Sequence, residues 1–419
     1  MTKSPMKIVI HAGRMIDGTG AEPSRAVDIL IENGRIQAIL PQGEMAVEYA
    51  FHLDVQNKTV LPGLIDTHVH ICFDPNPGQH ASRVSESIPT QTIRGAKNAR
   101  DMLENGFTSI RTLGTTHDLD FTIRDAIQQG IILGPRMIAA GRGISMTGGH
   151  GHFISMESDG PEAVRKAVRT AIRNGANVIK LFVTGGVMTP GGKPGRPQLN
   201  RDELDVAILE AHKIGLKVTC HAEGKQGVND ALAVGIDCIE HGYFMNNEEG
   251  LAMLVEKGVH LVPTLMAYQL IAYGLDAGVP PEAAANAEMA LEYNTVGFGN
   301  AVRAGAKIAM GSDAGTAFND HGRSWRELIY MVKYGMTPMQ AIVAATRNGA
   351  DLLGIGSDVG TIETGKLADI LVVEGDPLAD IAQIGQTRVV IKEGEIVRND
   401  LAEKEGRAVF QGETSNACR

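Results

Sequence analysis

The middle of the chain alternates short apolar runs with amphipathic stretches. Eight runs rich in aliphatic and β-branched residues stand out: GLIDTHVHI (63–71), FTSIRTLG (107–114), RMIAAGRGI (136–144), NVIKLFV (177–183), KVTCHAE (217–223), CIEHGYF (238–244), HLVPTL (260–265) and KIAMGSDAG (307–315). Between them lie helical patterns such as PEAVRKAVRTAIRNG (161–175) and RDELDVAILEAHKIG (201–215), each closing on a glycine suited to end a helix. Eight strand-then-helix units in about 290 residues predict a (β/α)8 barrel, an α/β fold. A doubly wound open sheet is the competing arrangement, but no GxGxxG opens a helix after the first strand.

The two ends follow another pattern. IVIHAGRMIDG (8–18) and VDILIENGRIQAIL (27–40), with a central Asn33-Gly34, read as strands and a hairpin turn. KLADILVVEGDPL (366–378) and RVVIKEGEIVRN (388–399) read the same way at the far end. The ends therefore resemble each other and not the middle.

Composition narrows the function classes. The 419 residues are 43% hydrophobic and 21% charged, which supplies a core and excludes global disorder. Aromatics are only 4%, so that core is aliphatic. A net charge of −10 with no basic tract excludes a nucleic-acid footprint. No apolar run approaches the roughly 18 residues that span a bilayer, so no membrane partner is expected. Residues 1–15 lack a secretory core, and the four cysteines show neither CxxC spacing nor a disulfide framework. A cytoplasmic protein is the expectation.

Chemistry gathers where a barrel places its active site, at the C-terminal ends of the strands. His68 and His70 end strand one, Lys180 lies on strand four, and His221, His241 and Asp313 end strands five, six and eight. Two residues apart on a strand, His68 and His70 point to one face and offer a platform for a divalent metal. Alone, such a pair would equally suit two buried histidines bonded to backbone; ligand types from three further strand ends weigh against that. Zinc fits three histidines and a carboxylate, and Mn²⁺, Fe²⁺ or Co²⁺ would accept the same donors. An ammonium cannot ligate a cation. A buried, neutral Lys180 could instead add CO₂ to form a carbamate with two metal-binding oxygens, while a strand-end lysine can also simply reach solvent.

The segments PGLIDTHVH, VIKLFVTGG, CHAEG, IEHGYF and MGSDAG, closed by GTIETGKLADILVV, resemble the metal-dependent amidohydrolase superfamily over nearly the whole chain. They are similar to its imidazolonepropionase-like branch, which includes Xaa-Pro dipeptidases. The resemblance implies that His68, His70 and Asp313 bind a first divalent metal and His221 and His241 a second, with carboxylated Lys180 bridging them. It implies a hydroxide shared by the metals as nucleophile, with Asp313 as general base and then acid. It also implies a small composite β-sandwich of residues 1–62 and 358–410 around a barrel of 63–357, a tail at 411–419, and a homo-oligomer.

The pocket is less determined. His150 and His152 lie in a glycine-rich loop after strand three, and the resemblance favours His150 as catalytic and substrate-contacting. The segment 184–200 reads as a shaped lid. Several dipeptidase-like members carry His-Ala-Tyr after strand five, and here Glu223 stands in place of that tyrosine. Sharing parity with His221, Glu223 should face the pocket and repel a substrate carboxylate unless a cation such as Arg142 offsets it. Tyr243 is a further candidate for substrate contact. The residues after strand seven (265–289) read as a helical insertion whose aromatics serve the core. The expected substrate is a small peptide-like or N-acyl amino acid amide. Aryl amides of the ochratoxin or phenylurea type are the alternative. A mononuclear imidazolonepropionase or deaminase is disfavoured by Lys180 and by Gly224, where many such enzymes place a glutamate. A catalytically silent binding scaffold would have lost ligands, and none is lost.

Overall fold

A computed structural model describes residues 7–76 apart from 46 and 48, residues 86–189, and residues 193–401. The expected tail 411–419, Cys418 and the crest of the expected lid (190–192) lie outside the described residues.

Eight short parallel strands form a barrel: Leu64–Val69, Phe107–Thr112, Arg136–Ala139, Ile179–Phe182, Val218–Ala222, Cys238–His241, His260–Val262 and Lys307–Ile308. Each of the expected apolar runs supplies one. The first three pair in order, as do the last five. Two links close the circle. A parallel bridge joins Val69 to Ala314, and the Asn177 amide donates to the Ala139 carbonyl at 2.8 Å. Most strands are buried along their whole length, because helices cover the barrel outside and side chains fill it inside.

Local signals set the helices. Pro161–Asn174 begins on proline and stops at Gly175, whose φ of 103° suits only glycine at little cost. Its buried residues Val164, Ala167, Val168 and Ala171 follow helical spacing and face the strands. Arg201–His212 starts with a reciprocal capping box between Asn200 and Glu203. Two further helices, Leu265–Ala272 and Pro281–Arg303, form the insertion after strand seven.

The chain ends meet as the alternating patterns require. Seven strands form one hydrogen-bonded sheet in the order Glu395–Asn399, Thr387–Lys392, Ile370–Glu374, Ala50–Pro62, Lys7–Met15, Ser24–Glu32 and Arg35–Pro41. N- and C-terminal segments join where Ile370 lies opposite Pro62 in antiparallel register. Alternate residues Ile8, Ile10, Ile29, Ile31, Val55, Ile370, Val372 and Val389 make a separate aliphatic core. Among the described residues, no helix is long and apolar enough to cross a membrane.

Candidate metal centre and active site

Four histidines converge at the C-terminal mouth of the barrel, and their hydrogen bonds fix which nitrogen each presents. His68 Nδ1 bonds Glu240 Oε2 at 2.8 Å. His70 Nδ1 lies 3.2 Å from the Gly114 carbonyl, which can only accept. His241 Nδ1 bonds Thr264 Oγ1 at 2.7 Å, while that hydroxyl donates onward to the Pro263 carbonyl. Each Nδ1 is therefore the donor, and each Nε2 carries a lone pair turned inward. The Gly185 backbone holds the His221 ring, whose buried Nε2 has no hydrogen-bond partner.

Asp313 faces these lone pairs. Its Oδ1 lies 3.3 Å from His70 Nε2 and 3.5 Å from His68 Nε2. An anionic oxygen and two nitrogen lone pairs repel one another unless a cation sits among them. This donor set fits a divalent metal, and His68, His70 and Asp313 form the cluster whose ligand atoms lie within 4.8 Å of each other. Burial moves His221 and His241 well below the usual imidazole value.

The backbone bends to achieve this. His241 and Asp313 have φ of 72° and 58°, a left-handed conformation that non-glycine residues seldom take. Such positions cost about 1–3 kcal/mol and concentrate at functional sites. Asp66 ties the two ends of the barrel together, accepting from the His68 and Ser312 amides at 3.1 Å each.

Lys180 reaches the same space from strand four and is only 1% exposed. Burial lowers its amine against the pull of Glu240 and Asp313. A lysine made less basic by desolvation is the form that adds CO₂.

Beneath the histidines lies a second polar cluster not anticipated from the sequence. Glu240 is fully buried and accepts from Arg111 at 2.6 Å as well as from His68, and Thr219 also bonds it. Burial would raise the Glu240 carboxyl, yet Arg111 and His68 overrule it and keep it ionised. Arg111 in turn donates to the Thr67 carbonyl at 2.6 Å. This pair orients the His68 ring from below. The signal for it was a charged residue in the middle of a strand buried on both faces.

The cavity above the histidines has a volume of about 230 Å³ and mainly apolar walls, including Phe73, Phe153, Ile154, Phe182 and Met188. His150 lines it, and its Nδ1 bonds Thr189 of the lid at 2.8 Å. His152 also lines it, with its ring turned to the Gly149 carbonyl. Gly186 has to be glycine, because a Cβ there would fall 2.7 Å from the His150 ring and 2.9 Å from His221. Glu223 faces the cavity as expected, and burial pushes its carboxyl up to about 8.

Two expected substrate contacts are placed elsewhere. Arg142 donates to Asp118, through its backbone amide at 2.8 Å and its Nε at 3.2 Å, and does not line the cavity. It is therefore no counter-ion for Glu223. Tyr243 is buried behind the wall against Tyr268 and Tyr293. The insertion instead supplies Tyr268, expected to serve the core. It lines the cavity and donates to Glu223 Oε1 at 2.6 Å. Glu327 positions this helix by accepting from the Leu265 and Met266 amides, 2.7 Å each.

The model of the amidohydrolase family matches residues 59–397, well over half the chain. The chain belongs to the Amidohydrolase family. It is therefore a hydrolase, in a family whose members generally use divalent metals. Among curated relatives of this amidohydrolase, ochratoxinase of Aspergillus niger is 29% identical over 412 residues, covering 91% of this chain and 84% of that protein. Imidazolonepropionase of Geobacillus kaustophilus is 25% identical, covering 89% and 90%. A crystal structure of a Xaa-Pro dipeptidase with bound methionine is 34% identical, with a TM-score of 0.87 over 93% of this chain and 99% of that one.

Proposed function

We propose that this amidohydrolase holds two divalent metals, with zinc as first choice, and cleaves the C–N bond of a small peptide-like amide with apolar flanks. The observation that carries the reading is the convergence of the His68 and His70 Nε2 atoms and Asp313 Oδ1, with the unpartnered His221 Nε2, on one buried space lined also by Lys180.

His68, His70 and Asp313 would hold one metal and His221 and His241 the other. Lys180 would bridge them after its neutral amine adds to CO₂, forming an N–C bond and releasing one proton. When bound, the metals supply a water acidic enough to attack at neutral pH and polarise the scissile carbonyl. Asp313 takes the proton of the attacking water and delivers it to the leaving nitrogen, which an amide needs before its C–N bond breaks. His150, anchored to the lid through Thr189, faces the substrate and orients it. The apolar walls exclude water and receive the groups flanking the amide. Among the described lining residues there is no arginine and Lys180 is the one lysine, so a substrate carboxylate is not what this wall selects.

The test compares Xaa-Pro dipeptides, N-acyl amino acids and aryl amides on metal-loaded enzyme, with Asp313→Asn as control. The reading expects amide cleavage that Asp313→Asn removes. Retained turnover in that variant would take Asp313 out of its role.

A further inference from the structure

Among the described lining residues, Glu223 is the one carboxylate that the proposed chemistry leaves unused. It is 1% exposed, lines the cavity, and has one carboxylate oxygen with no hydrogen-bond partner. Oε1 accepts from the Tyr268 hydroxyl at 2.6 Å. Oε2 is the atom left without a partner. The Tyr243 hydroxyl lies behind the carboxylate, close enough to act on it, but without hydrogen-bond geometry. A carboxylate accepts up to about four bonds, so even a second tyrosine would leave acceptor capacity unused.

Among the described residues, no cation of the protein meets Oε2. Arg142, the cation expected to balance it, is held by Asp118. The basic group that does lie within ion-pair distance is His221, 3.6 Å from Oε1, and its Nε2 is committed to the metal site. The missing partner therefore comes with the ligand.

We infer that Glu223, held in place by Tyr268, is a specificity-determining residue that binds a primary ammonium group on the substrate. Geometry selects ammonium over guanidinium. A guanidinium would use both carboxylate oxygens in parallel, and Tyr268 already occupies Oε1. A compact ammonium with three rotatable donors needs only Oε2. Because Oε1 sits 3.6 Å from His221 Nε2, the ammonium lies close to the scissile carbonyl. An α-amino acyl amide meets that requirement, and Val187 and Ile271, which also line the cavity, suit an aliphatic side chain. The substrate class is thus an amide of an apolar α-amino acid with a free amine. This rests on the amide-hydrolase reading above, and it replaces the expectation that Glu223 merely repels a carboxylate.

The experiment pairs turnover with binding on the metal-loaded enzyme near neutral pH. Substrates are L-leucine p-nitroanilide and its N-acetyl derivative. Binding probes, followed by calorimetry, are L-leucinol and N-acetyl-L-leucinol. The free amine should be favoured by about tenfold or more in kcat/KM and in affinity, the scale of a charge-assisted hydrogen bond. Glu223→Gln should bring both ratios close to one, and Tyr268→Phe should lower them part-way, each with wild-type circular dichroism and metal content. If Glu223→Gln does not fold, the wild-type ratios and Tyr268→Phe decide. Equal or better use of the acetylated compounds, or ratios unchanged in a folded Glu223→Gln, overturns the inference. Cleavage of both anilides without amine preference leaves the hydrolase reading standing and removes the ammonium site. Glu223-dependent leucinol binding with neither anilide cleaved supports the ammonium site and counts against the hydrolase reading.

Discussion

The terminal sheet and the barrel mouth are both buried, but they bury different things. The sheet hides isoleucine and valine, and nothing in that core asks for a partner. The mouth hides four histidines, a lysine, an aspartate and a glutamate, and leaves His221 Nε2 and Glu223 Oε2 unmatched. Two of its residues also carry left-handed backbone. Satisfied apolar burial stabilises a fold, whereas unmatched polar burial is tolerated where a ligand completes it. Between these extremes lies the Glu240–Arg111 cluster, buried and paired, serving the site by orienting His68.

Substitutions can break this comparison. The largest effect should come from Asp313→Asn, which removes the proton carrier. Turnover should fall by roughly a thousandfold with the melting temperature held or raised. A large drop in stability would show that the mouth is structural after all. Glu240→Gln should do both kinds of damage, because it strands Arg111 and releases His68. We expect a loss of about 3–5 kcal/mol in denaturant unfolding and metal affinity weakened by about 10–100-fold. Ile370→Ala in the terminal sheet should cost about 2–5 kcal/mol by leaving a cavity, while kcat/KM per folded molecule stays the same. Arg142→Ala should be the mildest, within about 0.5 kcal/mol in stability, since it removes only a partly exposed pair with Asp118. Its kcat/KM should match wild type; a marked fall would restore Arg142 to the pocket.

The same contrast explains what the sequence disclosed. The barrel was legible because short apolar runs alternate with amphipathic stretches along the middle of the chain. The terminal sheet was legible from alternation at both ends, although the order of its strands depends on pairings across more than 300 positions, such as Ile370 with Pro62. The candidate metal ligands stood out as polar residues at strand ends, where apolar ones belong. Glu240 and Arg111 did not, because a charged residue inside a four- or six-residue strand looks like one turned to solvent until the barrel closes around it. Tyr268 was hidden for the opposite reason. It sits in LMAYQLIAY, whose aromatic and aliphatic residues read as core, and its hydroxyl gains meaning only where the helix brings it to Glu223. Arg142 was misplaced because Asp118, 24 residues earlier, captures it first.

The central claim is a pair of metals joined by Lys180. Metal content per chain, measured by mass spectrometry on wild type and Lys180→Ala, tests it most directly. The account predicts about two divalent ions in the wild type, with fewer ions and lost amide hydrolysis in Lys180→Ala. A single ion in the wild type, with activity untouched in Lys180→Ala, would contradict it.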